Sequence, residues 1–274
     1  MRIRLLALVA ALAITLPVAP ATAAGSRYAP LDRPGPALHV SVKTFKKALL
    51  CHGPYVANHK EPVLLIPATG VTPKQNYSWN YERAFTKQKR PWCTITMPQH
   101  TLGDIQRVGE YIVRGIRTLH RRTHRKIAVM GHSQGGMSMR WALRFWPGTR
   151  TLVTDVIGMA GSNHGTTAGL GCKDGKATCT AASWQQQAGS NFIKALNSRR
   201  ETFPQISYTE IYSHTDEVVQ PAKGPHPSSA VRGGHNVTNV ATQSICSTDV
   251  DEHLLIGTID PVTYALVMDA LTHA

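Results

Sequence analysis

Carboxylates are scarce in this chain: 16 Asp and Glu stand against 30 Lys and Arg in 274 residues, a formal net charge of +14. An excess of that size makes nucleic acid, anionic lipid or an acidic surface the first partners to consider. Charge of either sign is modest at 17%, against 42% hydrophobic residues. That balance excludes a disordered or collagen-like chain. There is no internal repeat, no low-complexity tract and no linker that divides the chain, so a single domain is expected. The five cysteines contain no CxxC pair, and no metal site is expected. Only one long apolar run exists, at residues 5–16.

That run reads as a leader. Met1-Arg2-Ile3-Arg4 is a basic head, and Ala21-Thr22-Ala23-Ala24 offers small residues for cleavage after Ala23 or Ala24. The apolar run is too short to span a bilayer, and Pro17 and Pro20 break it. Residues 1–24 are therefore expected to be a signal peptide and residues 25–274 one exported domain. Export lets disulfides persist. Cys172 and Cys179 flank a short Lys-Asp-Gly-Lys turn that suits a local bridge. Cys51 and Cys93 each sit beside a strand-like run, and a bridge between them would tie two strands together. Cys246 is left over.

After a Pro- and Gly-rich arm, Pro62-Val63-Leu64-Leu65-Ile66-Pro67 is continuous apolar sequence, the look of a strand buried on both faces of a parallel sheet. Further strands are expected at residues 93–97, 127–130, 153–159 and 206–212. Ile105, Val108, Ile112, Ile116 and Leu119 recur at spacings of three and four, which gives a helix one apolar face. Arg107, Arg114, Arg117, Arg121 and Arg122 fall elsewhere on it. Other helices are expected up to Trp146, around residues 184–197, and at residues 261–271, where Pro261 opens the first turn. Strand alternating with helix predicts an α/β fold with a mostly parallel central sheet.

The most informative segment is Gly131-His132-Ser133-Gln134-Gly135, a G-x-S-x-G between a buried strand and a helix. A serine hydroxyl is a poor nucleophile unless it stands clear of the backbone and meets a base. A tight strand-to-helix turn puts Ser133 at its tip, and the helix N-terminus favours negative charge there. An acid and then a histidine are expected to follow. Asp216, just past the strand at 206–212, is the candidate acid, with Glu217 its rival. Asp249, Asp251 and Glu252 read as a solvated acidic loop. Among the 13 histidines, His253 is a late loop residue that fits the base, and His235 is the runner-up. His132, His164 and His214 break the order. An oxyanion needs fixed donors. The Gln134 backbone N–H and the Ala68-Thr69-Gly70 loop, with the Thr69 hydroxyl, are the candidates.

At this point the chain resembles the secreted α/β-hydrolase lipases of the Candida antarctica lipase B type, over residues 51–253. Pro62 to Gly70 resembles the family's first strand and oxyanion loop, and Ser133-Gln134-Gly135-Gly136 its nucleophile. Ser183-Trp184-Gln185-Gln186, with Gly189-Ser190, resembles the helix beside the acyl pocket. Tyr212-Ser213, Thr215-Asp216-Glu217 and Val219-Gln220-Pro221 match the acid loop, which favours Asp216. Cys246 followed by His253 resembles the base segment, which favours His253. Cys51 and Cys93 fall where the family has a disulfide. Cys246 stands where the yeast enzyme bridges to a C-terminal tail, so it is expected to be free or re-paired with Cys172 or Cys179. His132 stands where the yeast enzyme has Trp, which leaves the alcohol side open, and Gln186 is placed on the acyl side.

The resemblance implies an α/β-hydrolase fold with helices on both faces of the sheet. It implies a secreted lipase or carboxylesterase acting on ester or lipid without a cofactor. Ser133 would attack, His253 would shuttle the proton, Asp216 would orient it, and Thr69 and Gln134 would hold the oxyanion. An acyltransferase using the same residues is the alternative. A basic surface-binding protein on a dead hydrolase fold is another. Residues 165–182 are a candidate lid. No nucleic acid and no obligate protein partner is expected, and the charge leaves adsorption to an anionic interface as the expectation.

Overall fold

The continuous apolar run between Pro62 and Pro67 does form a strand with every residue buried. In the computed structural model, which describes residues 28–55, 59–168, 172 and 179–272, it lies inside one sheet. The expected leader at residues 1–24 lies outside the described residues, as does much of the segment at 165–182. Among the described residues the sheet has seven strands: β1 Leu49–His52, β2 Val63–Ile66, β3 Trp92–Ile95, β4 Ile127–His132, β5 Val153–Met159, β6 Ser207–Tyr212 and β7 Val237–Ala241. Their order is β1-β3-β2-β4-β5-β6-β7. Only β1 runs antiparallel to its neighbour; every other pair is parallel.

The helices are α1 Val42–Ala48, α2 Pro73–Tyr77, α3 Tyr81–Lys87, α4 Ile105–Thr123, α5 Gln134–Phe145, α6 Ala181–Gln185, α7 Asn191–Leu196, α8 Thr242–Ile245, α9 His253–Ile256 and α10 Pro261–Ala270. They cover both faces because strand side chains alternate. Leu64, Ile66, Ile127 and Val129 join one core with α4, α5 and α7. Val63, Leu65, Ala128 and Met130 join the other with α2, α3 and α10. Each such fully buried aliphatic side chain contributes roughly 1.5–3 kcal/mol. Asp104 caps α4, accepting from the Gln106 N–H at 2.9 Å. Gly115 lets α4 lie close on the sheet, because a Cβ there would meet Ile95 at 2.7 Å and Leu64 at 2.9 Å.

Several expectations change. The run expected at 93–97 is strand over Trp92–Ile95, and β4 runs two residues past Met130. The helical stretch at 184–197 is two short helices, broken where Gly189 takes a φ of 77°. Strand β1 is the strand-like run expected beside Cys51, whereas β7 has no counterpart among the expected elements. It is a sheet edge, and its half-exposed, partly polar sequence lacks the continuous apolar signal of the inner strands. Arg107, Arg117, Arg121 and Arg122 are exposed as a solvated helix face would be. Arg90, Arg140, Arg144 and Arg150 are instead buried. Arg90 donates to the Glu61 carbonyl at 2.9 Å and the Leu271 carbonyl at 3.4 Å, joining the sheet to the end of α10.

Cys51 and Cys93 are register partners on β1 and β3 and form a disulfide. Cys172 and Cys179 form a second, and Cys246 is a free thiol.

Candidate active site

The turn from β4 into α5 holds Ser133 at φ 55° and ψ −123°, a strained conformation for a non-glycine residue. Its flanking glycines are required by close packing. A Cβ on Gly131 would overlap the Gly135 backbone, and one on Gly135 would overlap the Ile66 carbonyl. The Ser133 N–H donates to the Met159 carbonyl at 2.8 Å, which anchors the turn to β5.

Ser133 Oγ lies 2.9 Å from His253 Nε2. His253 Nδ1 lies 2.8 Å from Asp216 Oδ2. The other Asp216 oxygen accepts the Val218 and Val219 backbone N–H groups, both at 2.8 Å. These bonds fix the tautomer. Nδ1 carries the proton donated to the carboxylate, so the Nε2 lone pair faces the serine hydroxyl. All three side chains are buried, with Asp216 2% and His253 4% exposed. His253 opens α9 rather than sitting in a loop, with Glu252 as its N-cap. Among the rivals, exposed Glu217 meets the His253 backbone N–H at 3.5 Å and not the imidazole. His235 is exposed ahead of β7, at the opposite edge of the sheet. His164 pairs with Glu201, and His214 is exposed.

His132 is buried beside His253. Its Nε2 lies 2.9 Å from the His253 carbonyl and its Nδ1 lies 3.4 Å from the Asn76 amide. Burial, with the neighbouring His253, pushes its pKa down to about 3. The ring is therefore neutral, donating through Nε2 to the His253 carbonyl. Gly257 leaves room for it; a Cβ there would strike the imidazole.

Ser133 opens onto a cavity of about 610 Å³, lined on its apolar side by Val71, Trp79, Val218, Leu254, Leu255 and Ile259. Thr69, His132 and Gln186 also line it. Thr69 Oγ1 accepts from Gln134 Nε2 at 3.2 Å and from Gln186 Nε2 at 3.1 Å. Both lone pairs are then used, and the Thr69 O–H is left to donate into the cavity. The Gln134 backbone N–H belongs to the first turn of α5, where helix N–H groups have no intrahelical acceptor. Gln186 is itself held by Ser162 Oγ at 2.9 Å.

Three supporting residues escaped the sequence reading. Asn76 Oδ1 accepts the Ala68 N–H at 2.9 Å. Thr101 Oγ1 donates to the Ala68 carbonyl at 2.7 Å and accepts the Gly70 N–H at 2.9 Å. Ser162 holds Gln186. All three are ordinary polar residues in sequence, and no local pattern marks them.

Among the described residues, two groupings have metal-like spacing. Carboxylate oxygens of Asp249, Asp251 and Asp260 approach one another, but Asp260 is engaged in capping α10 through Val262 and Thr263. His120 and His124 are four apart on α4, but His124 is the left-handed C-cap and His120 Nδ1 faces the Arg125 carbonyl at 2.7 Å.

A mostly parallel sheet carrying a serine at the strand-to-helix turn, with imidazole and carboxylate aligned behind it, defines an α/β-hydrolase. The family described as Lipase (class 2) matches residues 72–253, and the chain belongs to that family. It is 32% identical over 214 residues to lipase B of Pseudozyma antarctica, covering 77% of this chain and 61% of that protein. Its fold matches the crystal structure of Aspergillus fumigatus lipase B with a TM-score of 0.77 at 30% identity, covering 88% of this chain and 60% of that one. Bacillus licheniformis lipase BlEst2 in its mature form shares the fold with a TM-score of 0.60 at 16% identity, over 82% of this chain and 98% of that one. The chain thus spans about three fifths of the length of both lipase B relatives.

Proposed function

We propose that this chain is a secreted serine ester hydrolase acting on acylglycerols or other carboxylic esters, with residues 1–24 its leader and residues 25–274 its catalytic domain. The observation that carries the reading is the unbroken relay from Ser133 through His253 to Asp216 at an apolar cavity. The apolar wall suits an acyl chain, and the family's name points to lipid. The two disulfides accord with export.

In this mechanism Ser133 Oγ attacks the ester carbonyl while His253 Nε2 takes its proton. Asp216 stabilises the imidazolium and keeps its orientation. The Thr69 hydroxyl and the Gln134 N–H receive the oxyanion, and His253 returns the proton to the departing alcohol. Water then attacks the acyl-enzyme by the same steps. Ser133→Ala is expected to lower hydrolysis of p-nitrophenyl esters and of emulsified triacylglycerol by 10⁴-fold or more. Retention of wild-type rates on both substrates refutes the reading.

A further inference from the structure

Thr69 Oγ1 sits between two amides whose orientation is forced. Gln134 Nε2 lies 3.0 Å from the Thr101 carbonyl as well as 3.2 Å from Thr69. Gln186 Nε2 lies 3.3 Å from the Ala182 carbonyl as well as 3.1 Å from Thr69. A carbonyl only accepts, so turning either amide over would set oxygen against oxygen. Each glutamine must therefore present N–H to Thr69. The hydroxyl can answer two donors only by accepting from both. Its own proton is left with the remaining direction, and Thr69 lines the catalytic cavity.

The two amides are carried differently. Gln134 opens α5 and is wholly buried. Gln186 is the C-cap of α6, a helix of only five residues. Ser162, buried in the loop after β5, donates through Oγ to Gln186 Oε1 at 2.9 Å. That bond occupies the amide oxygen and keeps the nitrogen turned to Thr69. The helix itself is pinned to the chain ahead of α4. Gln185 Oε1 accepts the Ile105 N–H at 2.8 Å, and Gln185 Nε2 donates to Asp104 Oδ1 at 2.8 Å. The Ala182 N–H donates to the Leu102 carbonyl at 3.2 Å. Thr101, whose carbonyl orients Gln134, belongs to the same stretch. Residues 101–105 thus fix both glutamines against Thr69.

Gln186 keeps no donor for a substrate. Its amide protons are engaged by Thr69 and Ala182, and its backbone N–H by the Ala182 carbonyl at 3.1 Å. Its backbone carbonyl accepts the Thr166 N–H at 2.8 Å. Such a residue influences a developing oxyanion through the group it holds. A lone threonine hydroxyl would have to turn its proton towards the charge as the charge appears. A hydroxyl already aimed avoids that reorganisation.

We propose that Gln186, held by Ser162, is a positioning residue that aims the Thr69 hydroxyl at the oxyanion. The test measures kcat and KM on a soluble p-nitrophenyl ester for Gln186→Met and Ser162→Ala, each alone and combined with Thr69→Val. Gln186→Met keeps the length of the side chain and loses its donors. It is expected to lower kcat about tenfold with KM changed less than about twofold, a smaller loss than removal of the Thr69 donor itself. Ser162→Ala should lower kcat about threefold, again with little change in KM. In Thr69→Val no hydroxyl remains to aim, so there neither change should alter kcat by more than about 1.5-fold. A merely structural role would cost the same factor in both backgrounds, and that result overturns the proposal. So does a raised KM at unchanged kcat, the mark of a substrate contact. Ser162→Ala leaves the contact between Gln186 and Thr69 in place, and it decides the matter if the melting temperature of Gln186→Met shows that variant unfolded. The inference rests on the Ser133 mechanism above. Inactive Ser133→Ala together with wild-type kcat in Gln186→Met and Ser162→Ala overturns the inference alone, whereas active Ser133→Ala overturns the mechanism.

Discussion

Thr69 shows how one hydroxyl acquires a role from its neighbours. Two glutamine amides occupy its lone pairs, leaving a single proton to donate. Thr69→Val keeps the shape and removes that donor. It is expected to lower kcat by 10²–10³-fold with little change in KM, and Thr69→Ser should restore most of the loss. Steady-state kinetics on a soluble ester checks both. His132 meets His253 through the His253 backbone carbonyl. His132→Phe removes the donor to the His253 carbonyl and leaves a buried acceptor unsatisfied, a cost of about 1–3 kcal/mol. The expected result is a lower kcat together with a lower melting temperature. Because the His132 pKa lies near 3, the wild-type ring stays neutral, and the substitution should not add or remove an ionisation in the pH–rate profile between pH 5 and 9.

At the scale of elements, the inner strands and α4 were legible because burial on both faces, or on one helical face, writes itself as apolar spacing. The edge strand β7 was not, because pairing on one side leaves its sequence mixed. Gly115 makes the contact between α4 and the sheet testable. Gly115→Val overpacks the space beside Leu64 and Ile95 and should destabilise the fold by about 1–3 kcal/mol, lowering the melting temperature measured by calorimetry. The Cys51–Cys93 bridge closes a loop of 42 residues on β1 and β3. Its removal as Cys51→Ser/Cys93→Ser should cost about 4 kcal/mol by loop entropy, read as a lower denaturant midpoint with Ser133 chemistry retained at low temperature.

At the scale of the whole molecule, buried carboxyls set the pH dependence of stability. Burial pushes the Glu210 pKa up to about 8 from 4.5. Between those values the folded protein keeps a proton that the unfolded chain has released. Stability from this group therefore falls as pH rises through that window and is flat beyond it. Hydrogen bonds to Glu110 and Glu201 act oppositely, lowering both carboxyls, so their contribution is present above pH 4.5 and lost at lower pH. The melting temperature is expected to peak on the mildly acidic side of neutrality. Glu210→Gln keeps an acceptor for the Asn163 amide and should reduce the decline towards pH 8. Calorimetry across pH 4–9 on both proteins measures it.

The sequence by itself determined the tight turn at Ser133, because a strand, two close-packed glycines and a helix are a local steric event that ten residues specify. It also determined the inner strands, whose burial is written as apolar runs. The rest of the site was decided by tertiary structure. Asp216 and His253 are 37 residues apart and meet only because the loop after β6 and the start of α9 come together on the strand-end side of the sheet, next to Ser133 after β4. Asn76, Thr101 and Ser162 carry no local mark, since a side-chain hydrogen bond to another segment needs no pattern along the chain. The +14 charge is likewise only a total in the sequence. Parallel pairing gives the sheet two unlike ends, and that geometry brings Thr69, Ser133 and Asp216 to the same one.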